Sequence, residues 1–192
     1  MDLSVEIDKL RSKYEGIQLL KPELQLISNT VRKVNQCNFL VFGLGNDSRF
    51  WIKINKSGRT AFLEDNYHWF NKIKKSNSRH EAYLINYPNN ITQWEDILNK
   101  PKKLKLDLPK EITETQWDVI LVDGPAGWKI KKQFHGRMSS IYMAKKLIKK
   151  NGIIFVHDCL RKVEKIYAKK YLKESNLICS ISGYALLRMY KG

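Results

Sequence analysis

Apolar positions follow two rhythms along this chain. Short unbroken runs close on turn residues: Asn38–Phe42 on Gly43-Leu44-Gly45, Thr60–Leu63 on Glu64-Asp65, Ala82–Tyr87 on Pro88, Trp117–Val122 on Asp123-Gly124-Pro125, and Gly152–Val156 on His157-Asp158. Runs of this length without polar alternation suit strands buried on both faces of a parallel sheet. Elsewhere apolar residues recur at helical spacing, which predicts helices over Leu19–Val34, Arg137–Lys150 and Leu160–Lys173. The second of these meets Asn151-Gly152, a helix stop. Two last stretches, Leu177–Ser182 and Tyr184–Tyr190, flank Gly183 and predict a closing hairpin. Strand–helix alternation of this kind predicts a doubly wound α/β sheet. No repeat or linker divides the chain, so a single domain over residues 1–192 is expected, with residues 1–18 as an N-terminal helical extension.

Composition changes this picture in one respect. The chain carries 35 Lys and Arg against 19 Asp and Glu, a net charge of +16. The excess is local: Lys129–Lys173 holds 14 bases and two acids, a balance of +12, and the other residues hold 21 bases and 17 acids, a balance of +4. A field of that sign attracts anions, whether nucleic acid, acidic polysaccharide or a nucleotide-like ligand. No apolar run approaches the roughly 20 residues of a membrane span, and Met1–Leu10 carries acids where a secretory leader carries bases. Three scattered cysteines, Cys37, Cys159 and Cys179, form neither a disulfide framework nor a zinc motif. A cytoplasmic, reducing setting is therefore expected.

In an open parallel sheet, ligands bind at the carboxyl ends of the strands. Those ends carry the residues with chemistry. Gly43 and Gly45 let the backbone turn tightly beside a nucleotide-sized ligand, and Glu64, about 20 residues on, stands where ribose hydroxyls are held. The run Asn46-Asp47-Ser48-Arg49 takes the place of a third glycine. An acid there repels a diphosphate but tolerates S-adenosylmethionine, which bears both signs of charge. Asp123, His157 and Asp158 end two strands that neighbour each other in this fold, so they are candidates for a catalytic cluster. As two carboxylates and an imidazole they could ligate Mg²⁺, Mn²⁺ or Co²⁺, or Asp123 or His157 could act directly as general base. Trp128, in the polar loop Ala126–Gly136, is a candidate to stack on a substrate ring; Trp51, Trp69 and Phe134 are weaker ones.

Five segments occur together in one order: Val41–Ser48; Phe62–Asp65 with Trp69; Trp117–Gly127; Gly136–Ala144; and Val156–Glu164. In this the chain resembles the plant glucuronoxylan 4-O-methyltransferase and xylan-biosynthesis family and its bacterial and viral relatives, from about Leu20 to the C-terminus. The resemblance implies a Rossmann-like methyltransferase fold with a mostly parallel seven-stranded sheet and an antiparallel edge hairpin. It implies transfer of a methyl group from S-adenosylmethionine to a hydroxyl of a glycan, neutral or acidic. By position it assigns Gly43, Gly45, Asp47, Ser48, Glu64, Asp65 and Asp123 to the donor. It assigns Asp123, His157 and Asp158 to catalysis or a divalent metal, and Arg137 and Arg161 to their vicinity. With Trp128, these two arginines are the candidate substrate residues. The chain departs from the family at Asn46 (usually His), Asp65-Asn66 (usually Glu-Asp) and His135 (usually Pro), and it lacks the plant proteins' membrane anchor. A nucleic-acid-binding protein or RNA/DNA methyltransferase using the basic segment 129–173 is the alternative, although no Asp/Asn-Pro-Pro-Tyr/Phe signature is present.

Overall fold

The computed structural model describes residues 2–14, 16–76, 81–183 and 185–192; Met1 and Tyr184, each part of a stretch read above, lie outside them. In chain order the elements are α1 (Leu3–Lys13), α2 (Lys21–Arg32), β1 (Asn38–Phe42), α3 (Ser48–Ile54), β2 (Arg59–Glu64), α4 (Tyr67–Ser76) and β3 (Glu81–Leu84). They continue with the single turns α5 (Trp94–Ile97) and α6 (Lys110–Thr113), then β4 (Trp117–Val122), α7 (Met138–Leu147), β5 (Ile148–Val156), α8 (Lys162–Tyr171), β6 (Leu177–Ser182) and β7 (Leu186–Lys191).

The seven strands form one sheet in the order β3-β2-β1-β4-β5-β7-β6. β1 to β5 are parallel, while β7 runs antiparallel to both β5 and β6. The expected hairpin is thus present, with its second strand inserted next to β5 and its first forming the edge. Side-chain alternation on the central strands divides the core into two halves. Leu40, Phe42, Ile120, Val122, Ile154 and Val156 meet Ile141 and Ala144 of α7 and Val163 and Tyr167 of α8. Phe39, Val41, Val119, Leu121 and Phe155 meet Ile7 of α1, Leu24 and Ile27 of α2 and Trp51 of α3. Burial on both faces explains why these strands are unbroken apolar runs.

Three expectations need adjusting. β3 ends at Leu84, and Ile85 leaves the strand while its N–H still bonds the Glu64 carbonyl at 2.8 Å. The helix expected to Lys150 ends at Leu147, and Ile148–Lys150 enter β5, where Ile148 pairs with Trp117 and Lys149 forms an ion pair with Asp118. Asn151, with φ +65°, bulges this strand where it was expected to stop the helix. Segment 88–116, which has no periodicity, packs Ile91, Trp94, Ile97 and Leu104 into the α7–α8 half of the core. Tyr167 and Tyr171 of α8 anchor it by donating to the carbonyls of Trp94 (2.7 Å) and Leu98 (2.6 Å).

Candidate active site

Parallel register places the carboxyl ends of β1, β4 and β5 side by side. The Asp123 N–H donates to the Phe42 carbonyl (3.0 Å) and the His157 N–H to that of Val122 (3.1 Å). Backbones crowd here: a Cβ on Gly124 would lie 3.0 Å from the Gly43 Cα, and Gly43 itself has φ +114°, a conformation open to glycine. The loop after β1 is fixed by side chains from below. The Leu44 and Asn66 N–H groups donate to the two oxygens of Glu64 (2.9 and 2.8 Å), and the Gly45 N–H donates to Ser48 Oγ (2.9 Å). The Asp47 carboxylate accepts the Trp51 indole N–H at 2.8 Å. Burial pushes Glu64 up to about 7; burial and the nearby Asp123 push Asp47 up to about 6.

These ends open on a cleft of about 750 Å³. Its floor is the β1 loop with Glu64 and Asp65, one wall is the strap Gly16–Leu19 between α1 and α2, and the rim carries Trp128, Phe134, His135 and Arg161. Trp128 is 59% exposed and packs on Phe134 with ring centroids 4.4 Å apart. Its loop is pinched at the stem, where the Gly136 N–H donates to the Ala126 carbonyl at 3.0 Å. Volume, the glycine cradle and the buried carboxylate of Glu64 beneath it fit a nucleoside-bearing sulfonium such as S-adenosylmethionine.

Of the expected donor residues, Gly43, Gly45, Asp47, Glu64, Asp65 and Asp123 line the cleft. Ser48 is buried beneath the loop that it supports. The expected catalytic residues do come together, but at different depths. Asp123 keeps 24% of its side chain exposed, whereas those of His157 and Asp158 are 1% and 8% exposed and sit behind it. Asp158 adopts φ +63°, which turns the chain so that its carboxylate folds back towards Arg137. α8 consequently starts at Lys162, later than the spacing predicted.

Arg137 is the hub of this cluster. Its Nη1 donates to the His157 carbonyl (2.7 Å) and its Nη2 to the Asp123 carbonyl (2.6 Å) and Asp123 Oδ1 (3.0 Å), and Nη2 forms an ion pair with Asp158 Oδ2 at 2.7 Å. Arg161 adds a second cation, 2.9 Å from Asp158 Oδ2. His157 Nδ1–H donates to Asp123 Oδ1 at 2.9 Å. Burial opposes the charged imidazole, but Asp123 and Glu23 outweigh it and push its pKa up to about 9. Burial likewise opposes the Asp123 carboxylate, yet Arg137 and His157 hold it below the ordinary range.

This arrangement alters two expectations. Asp123, His157 and Asp158 do present ligand atoms within 4.8 Å of one another. However, both carboxylates already face guanidinium groups and the pKa of the imidazole is pushed up to about 9, so the set does not fit a divalent cation, which needs open lone pairs. The guanidinium of Arg137 is engaged with protein groups and almost wholly buried, so of the two arginines Arg161 is the one with a partly exposed side chain (28%) at the cleft. Trp51 is fully buried in the core, and Trp69 donates its indole N–H to the Leu44 carbonyl, closing the β1 loop. The basic segment divides: Lys129, Lys131 and Lys132 are exposed in the loop between Trp128 and Phe134, which themselves line the cleft, while Lys162, Lys165, Lys169 and Lys170 are exposed on α8; of the segment's bases, Arg137 and Arg161 line the cleft.

Two contributors went unread in the sequence. The strap Gly16–Leu19 has no motif. Glu23 is legible as an acid in the first turn of a helix that begins Lys21-Pro22, but nothing in the sequence points it at His157.

Comparison with known proteins follows the geometry. The family model described as IRX15/IRX15L/GXM matches residues 22–106 and 99–185. Glucuronoxylan 4-O-methyltransferase 1 of Arabidopsis thaliana is 36% identical over 178 residues, covering 82% of this chain and 62% of that protein. Arabinogalactan O-methyltransferase 1 of the same plant is 34% identical over 174 residues, covering 78% and 60%. The chain therefore spans about three fifths of the length of these relatives. Among solved structures, precorrin-6y C5,15-methyltransferase from Geobacter metallireducens superposes with a TM-score of 0.55 at 10% identity, covering 95% of each chain. N-methyltransferase NodS from Bradyrhizobium japonicum in complex with S-adenosyl-L-homocysteine superposes with a TM-score of 0.51 at 12% identity, covering 88% of this chain and 84% of the other. At such identities the likeness establishes the fold, which is the Rossmann-like methyltransferase fold. No helix among the described residues is long and apolar enough to cross a membrane.

Proposed function

Because the chain belongs to the IRX15/IRX15L/GXM family, we propose that it is an S-adenosylmethionine-dependent O-methyltransferase whose acceptor is a sugar hydroxyl of a glycan. The observation that carries this reading is the depth order of the acid cluster. Asp123 alone of its three members opens on the cleft, beside the glycine loop and in the same lining as Glu64.

The donor, when bound, supplies an activated methyl group on a sulfonium. Glu64 and the Gly43–Gly45 loop would hold its ribose, and the strap Gly16–Leu19 would exclude water from its other side. Asp123 orients the acceptor hydroxyl by accepting its hydrogen bond. As the oxygen–carbon bond forms and the carbon–sulfur bond breaks, the hydroxyl proton passes to Asp123. Arg137 and His157 keep Asp123 ionised at the cost of basicity, so positioning supplies much of the rate. His157, buried and protonated, is not the base in this arrangement. An acidic acceptor is favoured by Arg161 at the cleft and by the exposed lysines of the loop that carries Trp128 (Lys129, Lys131, Lys132), with Trp128 available to stack on a ring. The α8 lysines stand off the cleft, so the basic segment lends little to a nucleic-acid reading.

The test is methyl transfer to a panel of neutral and acidic oligosaccharides, read by mass spectrometry, with RNA and DNA as further acceptors. A mass gain of one methyl on an acidic oligosaccharide is expected. Saturable binding of S-adenosylmethionine with transfer only to nucleic acid would overturn the glycan reading, and absence of donor binding would overturn the enzyme.

A further inference from the structure

Glu23, in the first turn of α2, is completely buried, and His157, which follows β5 and faces it, is 1% exposed. One carboxylate oxygen, Oε2, accepts the Leu20 N–H at 2.7 Å and lies 3.6 Å from His157 Nε2. The other, Oε1, has no hydrogen-bond partner among the described residues. A fully buried carboxyl group is costly unless a partner faces it, and the group facing Glu23 is the imidazole of His157, whose pKa it helps to push up to about 9. Its ring therefore sits between two acids, Glu23 behind Nε2 and Asp123 before Nδ1.

We propose that Glu23 is a positioning residue for Asp123, acting through His157: it holds the imidazole charged and aimed, so that Nδ1–H fixes the carboxylate that faces the cleft. The residue also ties two parts of the site together. Leu20, whose N–H it holds, directly follows the strap Gly16–Leu19 that lines the cleft, and Arg11 donates to the Leu19 carbonyl at 2.6 Å. Displacement of the strap by a ligand is thus transmitted to Asp123 through one side chain and one ring. The charged groups facing His157 from every packed element are Glu23 on α2, Asp123 after β4, Asp158 beside it (3.7 Å), Arg137 through the His157 carbonyl, and Asp47 of the β1 loop.

The inference deepens the functional reading above and rests on it only in its kinetic arm. Glu23→Gln keeps an acceptor for the Leu20 N–H, and therefore the helix start, but removes the charge. In the ligand-free protein the imidazole titration of His157, followed by NMR and assigned with His157→Gln, should move down by about one unit or more in Glu23→Gln. An unchanged midpoint overturns the proposal, and this measurement needs no turnover, so failure of methyl transfer overturns only the functional reading. With an active acceptor, kcat should fall about tenfold while the KM for the donor stays within about twofold. A shifted midpoint with unchanged kcat would show that His157 does not position Asp123. Glu23→Ala, which loses cap and charge together, should be less stable than Glu23→Gln. Equal effects of the two on kcat at matched folding assign the loss to the charge, and a kcat loss confined to Glu23→Ala assigns Glu23 a purely structural role.

Discussion

Arg137 offers the sharpest test of how the cluster is held. The side chain is 4% exposed and makes four charge-assisted contacts, to Asp123 (carbonyl and carboxylate), the Asp158 carboxylate and the His157 carbonyl. Arg137→Met keeps the apolar stem and removes the charge, leaving Asp123 and Asp158 short of one cation; Glu164, fully buried and with neither carboxyl oxygen hydrogen-bonded among the described residues, loses the cation that most lowers its pKa. Removing one partner of a buried ion pair typically costs about 3–5 kcal/mol. For a domain whose whole stability is of order 5–15 kcal/mol, that is a large share. Arg137→Lys keeps a positive charge but cannot serve two carbonyls and two carboxylates with one ammonium, so an intermediate loss of about 2 kcal/mol is expected. Urea unfolding followed by tryptophan fluorescence reads both variants, since Trp51 and Trp117 are fully buried. The pH dependence supplies an independent sign. In the native protein the Asp123 pKa lies below its unfolded value, so its contribution is present above about pH 4 and is lost as pH falls through the folded value. Without Arg137, burial is opposed only by His157 and Arg161, and the folded value of Asp123 rises. Acidification then neutralises the group in the folded state, and the deficit of Arg137→Met should shrink between pH 7.5 and 5. A deficit below about 1 kcal/mol at pH 7.5, or one that grows on acidification, would refute this account of the cluster.

Other outcomes follow from the same geometry. Asp123→Asn, which keeps the shape but cannot take a proton, should lower kcat at least about a hundredfold while calorimetry shows donor affinity within a few-fold of native. Trp128→Ala should raise the acceptor KM about tenfold and leave the melting temperature nearly unchanged, because the ring is 59% exposed; an unchanged KM would remove it from the acceptor site. For His157 the folded pKa of about 9 lies above the unfolded value near 6.5, so its contribution is complete below pH 6.5 and is lost as pH rises through 9. The shift corresponds to about 3 kcal/mol, and denaturation of the native protein should show a loss of that order across this window that His157→Gln does not.

Most of the strands, and the tips at which chemistry gathers, were legible in the run pattern, although β3 ends earlier and β5 begins earlier than the runs imply. Unbroken apolar runs need burial on both faces, and a glycine or an acid after each run needs the open end of a parallel sheet; both demands are local and both are legible residue by residue. β1 and β4 match their runs residue for residue, and Gly43, Glu64 and Asp123 reach the cleft as their places in the pattern imply. What only the tertiary structure decided is which charges face one another. His157 and Asp158 looked equivalent to Asp123 because all three end strands, yet the helices packed on the sheet bury them and supply Arg137, Arg161 and Glu23 as partners. Glu23 and His157 are separated by 134 positions, and no periodicity spans such a distance. Burial then sets the protonation of each group, through the balance of desolvation against nearby charge. That balance made the imidazole a fixed cation, turned a metal-like trio into an arginine-held cluster, and left one carboxylate facing the cleft.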